Sequence, residues 1–304
     1  MTEKKRNIAQ SIRNQLTRVS VARDERLELV LIRFAFERFL FRLSKSEYSD
    51  KFILKGAFLF TFKTGQYYRP TRDMDFLSLH SNRPDDIIKA FKTICSVEVE
   101  DDGLVFETND IDVSEIREGT SYHGLRVKFK AYLQKSRISL QFDLGFGDAV
   151  FPDIEDVEYP SLLDLPKPKI KAYPLESLIS EKVEAMVDLG IQNSRMKDFY
   201  DIYSMLKTFN IDRASLQKAI EVTFTRRKTV IPKEIPIALS DEFAYDKEKN
   251  KQWQQFIAKN SLSNAPENLK DVIDELRSNL LPLFNAINDM SNRKMGVRGH
   301  KQDG

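Results

Sequence analysis

One alternating segment constrains the fold of this chain more than any other. Over residues 137–145, Ile138, Leu140, Phe142 and Leu144 alternate with Ser139, Gln141 and Asp143. Successive strand side chains point to opposite faces, so this period specifies a half-buried strand with Asp143 on its polar side. The stretch Arg72-Asp73-Met74-Asp75-Phe76 alternates in the same way. Both of its carboxylates leave one strand face, while Met74 and Phe76 are free to enter the core. Further strands are predicted over residues 97–100, 104–108, 113–116 and 124–132, with a short helix over 85–95.

Two carboxylates on one face suit a hard divalent cation such as Mg²⁺, which takes oxygen ligands and keeps waters and substrate phosphates in its remaining positions. A bare Asp-x-Asp is more often a solvated strand end. The neighbouring residues favour phosphate chemistry. Lys55-Gly56-Ala57 is a glycine turn opening a helix, where backbone N–H groups and the helix dipole favour an anion. Arg69 and Arg72 stand immediately before the aspartates. Lys55, Gly56, Ala57 and Arg72 are therefore candidate nucleotide-binding residues, and Asp73 and Asp75 candidate metal ligands. Two metals would need a third carboxylate. Asp143 is preferred for it over Asp148, which falls in the turn after the strand.

At 304 residues the chain exceeds the usual size of one domain, and two lobes are expected. A first lobe over residues 1–158, a proline-rich linker over 159–174, a helical lobe over 175–290 and a disordered tail over 291–304 follow from the composition. A net charge of +2 argues against a polycationic coat and leaves room for local basic patches. The single Cys95 excludes an internal disulfide framework, and His80, His123 and His300 lack zinc-ligand spacing. The polar start of the chain and the want of a long apolar stretch predict a cytoplasmic protein with no membrane contact.

The N-terminal residues 5–19 read as a basic helix. Asp24 is expected to cap the next helix, which runs to about Leu43 and carries two apolar stripes that predict burial on most sides. In the second lobe, one helix over 175–189 carries Lys182 and another begins at Arg195. Asp198 and Asp201 share a face of the latter, an arrangement that is ordinarily a salt-bridged helix start. Arg226-Arg227-Lys228 forms a compact basic cluster, and Trp253 is expected to pack.

Taken in order, Lys55-Gly56-Ala57, Arg69 to Asp75, Phe142 to Asp148, Tyr173-Pro174-Leu175-Glu176, Glu181-Lys182 and Arg195 to Asp201 resemble the AbiEii/AbiGii toxin family, over about residues 10–260. The resemblance implies an α+β fold: a polymerase-β-like nucleotidyltransferase lobe, with a mixed sheet and helices, followed by a mostly helical C-terminal lobe. It implies a toxin of a two-gene toxin–antitoxin or abortive-infection system. Such an enzyme uses Mg²⁺ or Mn²⁺ to transfer a nucleotide from an NTP to an RNA 3′-hydroxyl, with the tRNA acceptor end as the expected target and translation blocked as the result. An AbiEi-like antitoxin is the implied partner. Position by position, Asp73 and Asp75 match the metal-binding pair, Lys182 the lysine that holds the triphosphate, and Asp198 the essential acid of the Arg-x-Lys-Asp motif. Ala57 departs from the family, which has Ser there. Arg226, Arg227 and Lys228 are expected to guide RNA, a solvated helix end being the alternative. Nucleotidylation of a protein or small molecule, and a catalytically silent binding protein, remain as other readings.

Overall fold

A computed structural model describes residues 3–64, 69–118, 122–262 and 264–299. The chain forms two compact units, Met1–Asp148 with Ile154–Tyr173, and Ala149–Asp153 with Pro174–Gly304. The fold is mixed α+β.

The first unit is built on a mixed sheet of seven strands among the described residues: β1 (Phe52–Lys55), β2 (Asp73–Ser78), β3 (Leu104–Glu118), β4 (Tyr122–Leu133), β5 (Ser136–Phe146), β6 (Glu155–Glu158) and β7 (Lys169–Ala172). Their order across the sheet is β3-β4-β5-β2-β1-β7-β6. β2 runs parallel to β5 and antiparallel to β1, and β7 runs parallel to β1. A two-residue turn at Gln134-Lys135, with Gln134 at φ +54°, sets the β4–β5 register. Helices α1 (Glu3–Ala22), α2 (Leu27–Ser44), α3 (Phe58–Thr64) and α4 (Pro84–Ser96) complete the unit.

The core follows from the alternation. Met74, Phe76, Phe142 and Leu144 are all buried, and the intervening Asp73, Asp75, Gln141 and Asp143 are half-buried. The Phe142 ring lies 4.5 Å from Phe39, 5.1 Å from Phe36 and 5.2 Å from Phe91, which joins α2 and α4 to the sheet. α2 is buried along nearly its whole length, including Arg33, Glu37, Arg38 and Arg42. Such charges persist in an interior only when paired. Arg42 makes a two-pronged contact with Asp102 at 2.6 and 3.1 Å. Arg38 donates to Glu37 at 3.1 Å and to the Pro166 carbonyl at 3.0 Å.

Several expectations are corrected. Residues 159–173 of the proline-rich stretch, expected as a linker, fall within the first unit. Glu37 accepts from Ser161 Oγ at 2.6 Å and from the Leu162 amide at 2.7 Å, and β7 pairs with β1, so long-range contacts hold a segment whose composition suggests none. Burial raises the Glu37 carboxyl above its ordinary value, and the Ser161, Leu162 and Arg38 donors offset only part of that. Asp24 does not cap α2: it sits at φ +50° in the turn ending α1, and Arg26 precedes α2 with no side-chain cap. Residues 97–100 alternate but pair with no strand among the described residues. Strands expected at 104–108 and 113–116 form one strand, β3, whose register with β4 shifts between Glu107 and Asp112.

The second unit is helical: α5 (Leu175–Leu189), α6 (Met196–Thr208), α7 (Arg213–Arg227), α8 (Asp241–Tyr245), α9 (Lys247–Asn260) and α10 (Leu269–Gly299). Asp212, Ser240 and Asp246 cap α7, α8 and α9 by accepting from amides three residues on, at 2.7, 3.3 and 2.8 Å. Trp253 is fully buried and donates to the Pro266 carbonyl at 3.0 Å. Residues 291–299, expected as part of a disordered tail, fall within α10; residues 300–304 lie outside the described residues. No described helix is long and apolar enough to cross a membrane.

Candidate active site

The strand registers assemble one charged row across the polar face of the sheet. Lys55 on β1 stands opposite Asp75 on β2, Asp75 opposite Asp143 on β5, and Asp143 opposite Arg126 on β4. One step along, Asp73 faces Gln141, which faces Lys128. Asp73 and Asp75 thus leave one face, two residues apart, as the alternation requires.

Side-chain contacts hold Asp143, Asp73 and Lys55 in place. Arg126 donates to both Asp143 oxygens, at 2.9 Å from Nε and 2.7 Å from Nη2, a bidentate fork that fixes the carboxylate plane. Thr71 Oγ1 donates to Asp73 Oδ1 at 2.7 Å. Lys55 Nζ donates to Asp148 Oδ2 at 3.0 Å, and Asp148 is 5% exposed. Asp148 therefore neutralises Lys55, whereas Asp143 stands in register with Asp75. Gly56 has φ +74°, and a β-carbon there would collide with the Asp75 carboxylate. Glycine is required on both counts. Ala57 is buried. Arg72 lies at the rim, 55% exposed, in an ion pair with Glu28 at 2.8 Å.

Among the described residues no three His, Cys, Asp or Glu side chains gather into a group that could hold a metal ion. The pair Asp73 and Asp75 nevertheless has the chemistry that Mg²⁺ accepts, since that ion is commonly bound through one or two carboxylates plus substrate phosphates. Cys95 is not a nucleophile candidate: burial pushes its thiol up to about 12.

Within the second unit, Lys182 on α5 reaches the start of α6. Its Nζ lies 2.6 Å from Asp198 Oδ1 and 2.9 Å from Asp201 Oδ2, and Arg195 Nε lies 2.8 Å from Asp198 Oδ2. Both aspartates are 1% exposed. Burial would raise the Asp198 carboxyl, but the Lys182 ammonium and the Arg195 guanidinium outweigh it and hold the group below its usual value. The acids of the helix start are thus one half of a buried ion cluster with Lys182.

The basic cluster is divided. Arg226 and Lys228 are exposed, while Arg227 is 23% exposed and donates to Glu184 at 2.8 Å. No sequence motif singles out Arg126, although the turn at Gln134-Lys135 sets the hairpin register that puts it opposite Asp143.

This architecture is that of a nucleotidyltransferase fold: the chain is similar in structure to MenT4, a nucleotidyltransferase toxin from Mycobacterium tuberculosis H37Rv, with a TM-score of 0.58 at 15% identity over 89% of each chain. The family model of the nucleotidyl transferase AbiEii toxin, of type IV toxin–antitoxin systems, matches residues 38–275, and the chain belongs to that family. JHP933 from Helicobacter pylori is also similar, with a TM-score of 0.46 at 13% identity over 86% of this chain and 94% of that one. No curated protein matches in sequence.

Proposed function

We propose that this toxin transfers a nucleotide from an NTP to an RNA 3′-hydroxyl, at the acceptor end of tRNA, and so blocks translation until an AbiEi-like antitoxin restrains it. The reading is supported chiefly by Asp73 and Asp75 sharing one sheet face beside the Gly56 turn, where only a glycine fits against Asp75.

In the transfer, the RNA 3′-oxygen bonds to the α-phosphorus of the NTP and the bond to pyrophosphate breaks. Asp73 and Asp75 would hold Mg²⁺ or Mn²⁺, which when bound supplies charge stabilisation at the transferred phosphate. Thr71 keeps the Asp73 carboxylate oriented by its 2.7 Å hydrogen bond. Arg126 orients Asp143, the proposed third carboxylate, in register beside Asp75. Lys55, Gly56, Ala57 and Arg72 contribute to nucleotide binding, with backbone amides serving where the family has Ser. Lys182 contributes its ammonium to the triphosphate, and Asp198 with Asp201 holds that ammonium in one place. Positioned cations of this kind act without reorganising during reaction.

Incubating the purified protein with total RNA and each labelled NTP in turn, with and without Mg²⁺, tests the reading. Metal-dependent label in the tRNA fraction, lost with Asp75→Ala, is the expected result. Label confined to protein or small molecules would replace RNA as the acceptor, and no incorporation from any NTP would overturn nucleotidyl transfer.

A further inference from the structure

The polar face of the sheet continues past the carboxylates into a cavity. β2 begins at Asp73, opposite Gln141, so β5 residues 137–140 have no β2 residue beside them. A cavity of about 520 Å³ opens there, bounded by Glu28, Leu31 and Ile32 of α2, by Arg72, and by residues 137–141 of β5. Lys128 and Lys130 of β4 also line it.

Its cations stand in a regular series. On β4, Arg126, Lys128 and Lys130 occupy alternate positions and so share a face, opposite Asp143, Gln141 and Ser139 in turn. Strand residues two apart are separated by about 6.7 Å, so Lys128 lies roughly one such step from the Asp75 row and Lys130 two. Such steps are of the order of the spacing between phosphates in an extended single strand. Acids enter the same cavity: Glu28 pairs with Arg72 at 2.8 Å, Asp110 lies 3.7 Å from Lys130, and Asp112 of β3 stands opposite Lys128 in register. Lys128 and Arg137, by contrast, form no ion pair with any described residue. Two cations without an ion pair among the described residues thus border a cavity that begins one residue step from Asp73.

We propose that this cavity is the seat of the acceptor strand: Lys128 and Arg137 bind the phosphates of the nucleotides just 5′ of the reacting 3′-hydroxyl, and Leu31 and Ile32 offer an apolar wall beside them. The proposal rests on RNA being the acceptor and assigns to it a site in the first unit rather than at Arg226, Arg227 and Lys228. Such contacts would position the strand without reading its sequence.

The test uses the full chain, one labelled NTP, and single-stranded RNA acceptors of one to four nucleotides. For the wild type, kcat/KM is expected to climb with length through the second and third nucleotides. In Lys128→Gln/Arg137→Gln that climb is lost, with KM for the tetranucleotide raised about tenfold and the salt slope of its binding reduced by roughly 1.4, about 0.7 for each phosphate left without its cation. Lys128→Arg/Arg137→Lys is expected to restore most of it. The single variants Lys128→Gln and Arg137→Gln give the same reading in part if the double variant does not fold. An unaltered length profile in the glutamine variants overturns the acceptor seat and leaves nucleotidyl transfer to RNA intact. Weaker binding of a non-hydrolysable NTP by these variants, with no RNA present, also overturns it, by giving the cavity to the nucleotide. If the wild type extends no RNA of any length, the RNA reading falls and the acceptor seat falls with it.

Discussion

Asp75 and Asp143 stand opposite one another on adjacent parallel strands, β2 and β5, on the polar face of one sheet. Their placement is enforced from the other face, where Phe76 and Phe142 stack with centroids 6.2 Å apart and planes inclined by 10°. A one-residue slip of either strand would bury a carboxylate and expose a phenyl ring. The pair is therefore locked by packing.

Asp75→Ala and Asp73→Ala are expected to remove transfer while leaving the thermal midpoint near that of the wild type, because both side chains are half-buried on the polar face. Loss of a charge-stabilising group at the reacting phosphate costs on the order of 10²–10³ in kcat. Labelled-NTP incorporation measured beside a melting curve checks this; a folded Asp75→Ala protein with near wild-type transfer would falsify the site.

Gly56→Ala is expected to destabilise by more than about 1 kcal/mol, since the position needs a left-handed conformation and a β-carbon meets the Asp75 carboxylate. Denaturant midpoints of Gly56→Ala and the wild type give the comparison, and an unchanged midpoint would show that the position tolerates a β-carbon against Asp75.

Lys182→Ala leaves Asp198 and Asp201 without their shared ammonium. Breaking a buried pair from one side costs about 3–5 kcal/mol, so this variant should lose stability as well as triphosphate affinity. Lys169→Ala and Lys171→Ala should do neither. Calorimetric titration with a non-hydrolysable NTP, paired with melting curves, separates the two effects, and indistinguishable results for all three lysines would reduce Lys182 to general charge.

The two buried acids should respond to pH with opposite signs. Asp198 is depressed in the folded state, so its contribution is present above the ordinary aspartate value near 3.9 and is lost as pH falls through the lower folded value. Glu37 is raised, so its contribution is full below the ordinary glutamate value near 4.3 and is lost as pH rises through the higher folded value. Asp198→Asn should therefore flatten the acid limb of the stability profile, and Glu37→Gln the limb above it. Urea midpoints measured across pH would refute the assignment if both variants changed the same limb.

Neutralising Arg226, Arg227 and Lys228 together should weaken RNA binding and lower its salt slope by roughly 0.7 for each phosphate that these side chains neutralise. Arg227 also pairs with Glu184, so Arg227→Gln alone should lower stability where Arg226→Gln and Lys228→Gln do not. A triple variant that modifies tRNA with unchanged affinity across a salt series would leave the cluster as solubilising surface.

Local pattern sufficed wherever a residue's role depends on its near neighbours. The period of two over 137–145 and around Asp73 determined which side chains face the core, and the apolar run after Asp24 determined that α2 is buried. Whatever depends on partners distant in the chain was decided by tertiary structure. β7 was hidden because its short Lys169–Ala172 run alternates lysine with apolar residues among prolines, and it becomes a strand only by pairing with β1. Arg126 was hidden because its role comes from a hairpin partner. Lys182 and Asp198 were visible singly, yet only the packing of α5 against α6 makes them one buried cluster. The physical reason is common to all three cases: burial and pairing energies depend on which groups meet, and a periodic pattern specifies a face without specifying what it meets.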